Sequence, residues 1–175
     1  IDITGRVSDY TTKDINLDIN AKGNILSSDV KSMIPADLRK EVAAAGSLPL
    51  SVKITGNDKA QNIAVNLSAN PSNYVSILSV DALKGKNTVI KSDIKIANDS
   101  LKLSDTGVYA NGVSVLEVKG SVNNLSKSQT LALDISTPQQ ISMEIPTLKK
   151  SNLKAKGNIS VSGTAVNPVL KRNID

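Results

Sequence analysis

Hydrophobic residues recur at every second position almost from end to end of this chain. Residues 14–22 read Asp-Ile-Asn-Leu-Asp-Ile-Asn-Ala-Lys, placing Ile15, Leu17, Ile19 and Ala21 on one side and polar groups on the other. A period of two is the signature of a β-strand, whose successive side chains point to opposite faces. The alternation returns at Leu48, Leu50, Val52 and Ile54, at Ile63, Val65, Leu67 and Ala69, and at Ile90, Ile94 and Ile96. Leu101 and Leu103 continue it, followed by Val113 and Val115. There the apolar parity moves to Leu116, Val118 and Val122, as a β-bulge requires. Leu131, Leu133 and Ile135 come next, then Ile141, Met143 and Ile145, and a long stretch from Leu153 to Ala165. With a stub at Ile1 to Val7, the pattern predicts roughly ten to twelve strands.

Short turn signals separate these runs: Ala-Lys-Gly-Asn, Gly-Asn-Asp, Asn-Pro-Ser-Asn, Lys-Gly-Lys-Asn, Ala-Asn-Asp-Ser, Ala-Asn-Gly and Val-Asn-Asn. Connections this short favour an antiparallel meander, because parallel strands need long crossovers. One stretch reads as a helix, Ser27 to Ala45. Ser27 or Ser28 can cap it, Asp29 lies near its positive end, Pro35 can restart it, and Gly46 can end it. Val30, Ile34, Leu38 and Val42 would then form one apolar stripe, either a lid over a sheet or ordinary packing onto the core. The fold class expected is mainly β, a long antiparallel sheet with one amphipathic helix. Residues 1–165 form the β segment with a helical insertion at 27–45. Residues 166–175 read as a tail leading to the next segment of a longer parent. The opening at Ile1, in mid-pattern and without methionine, points the same way.

Composition narrows the chemistry. The 175 residues include three tyrosines, at 10, 74 and 109, and no Phe, Trp, His or Cys. That excludes zinc sites of the usual Cys/His type, histidine-based catalytic triads, Cys/His cofactor ligation and disulfides. Sixteen acidic residues are spread over turns (Asp9, Asp58, Asp81, Asp99, Asp105) and outward strand positions (Asp14, Asp18, Asp93, Asp134), where turn formation and solvation account for them. No calcium loop or glycine-rich phosphate loop is written in the chain. The expectation is no enzyme, no metal and no cofactor. The net charge of +5 comes from basic residues scattered no more densely than in pairs. With almost no rings to stack bases, nucleic acid is not an expected partner.

What remains is a one-sided aliphatic surface. A sheet so patterned must hide its apolar face by folding over, packing on a second layer, taking the helix or facing a ligand. Compact sandwich cores usually recruit aromatic residues. Here the inward positions are almost purely Ile, Leu, Val and Ala, which suits either a smooth lining with room in it or a plain aliphatic core.

Two stretches resemble the AsmA/TamB-like family of bacterial envelope proteins. One runs Ile34-Pro35-Ala36-Asp37-Leu38 and then Gly46-Ser47-Leu48-Pro49-Leu50-Ser51-Val52-Lys53-Ile54-Thr55-Gly56. The other is Lys156-Gly157-Asn158-Ile159-Ser160-Val161-Ser162-Gly163-Thr164-Ala165-Val166-Asn167-Pro168-Val169-Leu170. The resemblance implies a curved, taco-like β-groove in a protein anchored in the inner membrane and crossing the periplasm. Its interior would conduct phospholipid to the outer membrane, in support of outer-membrane biogenesis. Implied partners are phospholipid acyl chains, adjoining segments of the same chain and outer-membrane assembly proteins. Carried over by parity, the lining would be Ile15, Leu17, Ile19, Leu50, Val52, Ile54, Ile63, Val65, Leu67, Ile94, Ile96, Leu131, Leu133 and Ile135. The chain departs from the family pattern where Asn167-Pro168 runs into Lys171-Arg172 and not a glycine. The alternative is a structural or adhesive extracellular β-module with a closed, dry core. An oligonucleotide-binding barrel is the third reading.

Overall fold

The computed structural model describes residues 1–9, 11, 15–77, 80, 83, 85–144 and 152–174. Its strands are β1 (Asp2–Ser8), β2 (Asn16–Leu26), β3 (Val42–Ala45), β4 (Ser47–Asn57), β5 (Ala60–Ala69), β6 (Tyr74–Ile77) and β7 (Thr88–Ala97), then β8 (Ser100–Ala110), β9 (Val113–Asn123), β10 (Thr130–Glu144), β11 (Asn152–Thr164) and β12 (Pro168–Ile174). Ten of them form one antiparallel sheet in the order β1-β2-β4-β5-β7-β8-β9-β10-β11-β12, while β3 and β6 pair with each other. The large sheet is open, with β1 and β12 at its edges. Nine spacings of about 4.8 Å make it roughly 43 Å across.

The meander follows from the turns. Between β4 and β5, Asn57 Oδ1 accepts the backbone N–H groups of Lys59 (3.0 Å) and Ala60 (2.8 Å), an Asx turn. Asn98 and Asp99 both take positive φ between β7 and β8, as do Asn111 and Gly112 between β8 and β9. These are the dihedrals of two-residue hairpin turns whose twist matches the strands. The expected bulge in β9 is present: Val108 pairs with Leu116 and Tyr109 with Ser114, so Val115 is the extra residue. A second bulge lies in β8 around Asp105, which has φ 31° and sits inside a strand and not in the turn read from the sequence.

Three boundaries differ from the sequence reading. Leu131–Ile135 and Ile141–Met143 belong to one strand, β10, whose ladder with β11 shifts between Thr137 and Ile141. Pro138 falls in that irregularity, where a missing N–H is tolerated. The Thr137 hydroxyl takes up the slack, accepting the Gly157 N–H at 3.0 Å. Ile145 lies outside the described residues. The presumed tail contributes the edge strand β12.

The third difference is the helix. Only Ser27–Ser32 is helical (α1); Arg39–Glu41 is a single 3-10 turn, and 42–45 is strand β3. Pro35 has no N–H to donate and disfavours helical geometry at Ile34, so the helix stops before it. The Arg39 guanidinium folds back onto the carbonyls of Ser32 (2.8 Å) and Ile34 (2.9 Å), satisfying acceptors that a continuing helix would have used. Val42–Ala45 then pairs with Tyr74–Ile77, and this distant partner overrides the helix preference of the alanines. The stripe of Val30, Ile34, Leu38 and Val42 therefore does not form: Leu38 is 54% exposed, whereas Val42 is buried in β3. Ser27 makes no cap bond; its hydroxyl donates to the Ala45 carbonyl at 2.6 Å.

The buried residues lie at one end of the sheet. Val42, Leu48 and Ala110 are the buried hydrophobic residues among those described, joined by the polar Ser27 and Thr88. They sit where the β2–β4 and β5–β7 connections meet, closed by the Ser27 N–H on the Gly46 carbonyl and the Ser47 N–H on Asn73 Oδ1.

Candidate functional site

Directly opposed residues of an antiparallel ladder share a face. Followed from strand to strand, the register builds a transverse row across the whole sheet: Gly5, Ile19, Ile54, Ile63, Ile94, Leu103, Gly120, Leu133, Val161 and Leu170. The neighbouring row on that face includes Leu17, Ile96, Leu101, Val122 and Leu131. On the other side of the central row, Val52 opposes Val65, Leu50 opposes Leu67, and Ile135 lies between Val118 and Ile159. The expected lining residues other than Ile15 thus share one face of the sheet. Ile15 stands just before β2, outside any strand. Parity alone did not single out Leu103, Val161 and Leu170 as lining, although all three alternate in register with it. Their membership comes from pairing.

This surface has little over it. Among the described residues each strand packs chiefly with its ladder neighbours, and α1 rests mainly on β2, β3 and β6. All fourteen expected lining residues are half-buried. Ile90, in the central strand β7, is still 43% exposed, and the edges show Ile3 at 72% and Leu170 at 67%. The accessible surface totals 11285 Å2. A compact monomer of 18.4 kDa exposes about 8,200 Å2, so roughly 3,000 Å2 here is surface that a packed domain would have buried.

The opposite face is polar and lysine-rich. Its one described ring, Tyr109, lies under Lys91 Nζ at 5.1 Å from the ring centroid and donates its hydroxyl to Asp105 at 2.8 Å. That hydrogen bond raises the tyrosine pKa above 10.0, with burial adding to it. The Lys119 ammonium, 3.0 Å from Glu117, lowers the carboxyl below its ordinary 4.5. Two shallow depressions also lie on this face. One is bounded by Lys22, Ser51 and Asn66, the other by Lys53, Lys95 and Lys102. A strongly twisted sheet is saddle-shaped, concave along one diagonal of either face, so dips on the polar side are compatible with an open apolar side. Among the described residues, no cluster of acidic side chains is placed to hold a metal ion.

No protein-family model, curated protein or solved structure matches this chain.

Proposed function

We propose that this chain is a non-catalytic segment of a groove protein that binds phospholipid acyl chains on its aliphatic face and lets them pass along it. The observation that carries the reading is a row of Ile, Leu, Val and Gly residues crossing all ten strands, against which no second layer packs among the described residues. Water is a poor neighbour for such a surface, and a hydrocarbon chain is a good one. Each buried methylene contributes about 0.8 kcal/mol, so a fourteen-carbon chain costs on the order of 11 kcal/mol to expose. A strip roughly 43 Å long that is apolar throughout would shelter such a chain from water at every point of its passage. Smooth aliphatic side chains suit this better than rings, because they have no polar handle and no preferred stacking geometry. The resemblance of the 34–56 and 156–170 motifs to AsmA/TamB-like proteins supports assigning such a segment to the periplasm, between the inner and outer membranes.

The competing reading, a structural or adhesive module with a dry closed core, calls for a sealed interior. Burial of no more than Val42, Leu48 and Ala110 among the hydrophobic side chains described supports the open reading over it.

The test is site-specific photo-crosslinking in cells, with native mass spectrometry of the purified protein. A crosslinker at Val65 or Leu133 is expected to capture phospholipid, and one at Asn66 or Asp134 is not. Equal labelling of both faces, or protein that is lipid-free throughout, would refute the groove.

A further inference from the structure

The polar face carries an arrangement that lipid conduction along the other face does not use. Lys95 and Lys102 are directly opposed on β7 and β8, and Asn62 on β5 opposes Lys95 in the same transverse row. Like charges facing each other across a ladder destabilise the sheet. Lys53 on β4 faces Ala64 on β5, and Ala64 in turn faces Asp93 on β7. The small side chain of Ala64 leaves a floor, and the three lysines stand around a depression of about 380 Å3 above it. Among the described residues none of the three makes an ion pair. Three ammonium groups and one carboxylate around one hollow leave a local excess of two positive charges.

The geometry points to this hollow as a binding site for a phosphate-bearing anion, with Lys53, Lys95 and Lys102 donating to phosphate oxygens and Asn62 adding an amide donor. Lysine binds phosphate as a point charge without demanding one orientation, which suits an open depression. The unfavourable Lys95–Lys102 juxtaposition becomes favourable once an oxyanion lies between the two ammonium groups. The oxygens can belong to a free diphosphate or to lipid headgroups at a membrane surface, and the site chemistry is the same for both.

The experiment compares the protein with a Lys95→Gln/Lys102→Gln variant and with a charge-matched control, Lys156→Gln/Lys171→Gln. Binding of inorganic pyrophosphate at low ionic strength is followed by amide chemical-shift perturbation. Binding to phosphatidylcholine vesicles with and without phosphatidylglycerol is followed by flotation. The site predicts shifts centred on β5, β7 and β8, and affinity weakened roughly tenfold or more in the first variant but not in the control. It also predicts that the first variant melts at or above the temperature of the parent, since a repulsion has been removed. Pyrophosphate binding identifies a free anion as a sufficient ligand. Preferential binding to phosphatidylglycerol vesicles that fails in the first variant alone identifies a surface of headgroups. The assignment is overturned if neither probe binds, if both double variants bind as the parent does, or if pyrophosphate does not bind and the two vesicle types bind alike.

Discussion

Leu48 and Ile94 offer a direct measure of how open the aliphatic face is. Truncating either to alanine deletes three carbons, about 2.4 kcal/mol of transfer free energy when the side chain is fully buried. Leu48 is 1% exposed, at the closed end of the sheet, so Leu48→Ala also leaves a cavity and is expected to cost about 3–4 kcal/mol. Ile94 is half-buried on the open face between Ile63 and Leu103. Ile94→Ala forfeits only part of the transfer term, and the space it vacates opens to solvent, so about 1 kcal/mol is expected. For a chain of this size 1 kcal/mol moves the melting temperature by about 2–4 °C. Thermal unfolding by circular dichroism on delipidated protein should therefore show a fall of about 10 °C for Leu48→Ala and about 3 °C for Ile94→Ala. Equal losses would mean that Ile94 is as enclosed as Leu48, and the reasoning from an uncovered face would fail.

Gly120 sits in the central row with φ 130°, where an added Cβ would collide with the Ala132 carbonyl. Gly120→Ala is expected to lower the urea midpoint by an amount corresponding to about 2 kcal/mol or more, whereas an unchanged midpoint would contradict the pairing of β9 with β10. Removing the guanidinium in Arg39→Ala strips partners from the Ser32 and Ile34 carbonyls, with an expected loss of about 1 kcal/mol in the same titration and faster hydrogen exchange around α1. The Glu117 carboxyl is lowered by Lys119, so its contribution to stability is present above pH 4.5 and disappears as the pH falls through the lower folded-state value. A carbon-detected carboxyl titration should place its midpoint below 4.5 and move it upward in Lys119→Gln. Tyr109 behaves oppositely: its contribution is complete below pH 10.0 and is lost as the pH rises through the higher folded-state value. Ultraviolet titration of the phenol should bring that midpoint down in Asp105→Asn.

Much of this architecture was legible in local chemistry. Alternation identified the strands and their apolar side, since a strand carries its period wherever it lies. Asn-Asp and Asn-Gly marked hairpins because those residues tolerate positive φ. The parity change after Val115 announced a bulge that the β8–β9 register contains. Residues 36–45 were misread because alanine's helix preference is a local quantity of a few tenths of a kcal/mol per residue, while the ladder partner of Val42–Ala45 lies some thirty positions later.

By itself, then, the sequence determined which residues extend, which side of each strand is oily, where the chain turns, and that histidine and cysteine chemistry has no place here. Tertiary structure alone decided that Ile19, Ile54, Ile63, Ile94, Leu103, Leu133 and Val161 align into one row, and that among the described residues no second layer is laid over them. It also decided that two insertions close one end, and that Lys95 meets Lys102 on the reverse side. The physical reason is range: a side chain's alternation is set by its own backbone, but register and coverage depend on which distant strand arrives beside it.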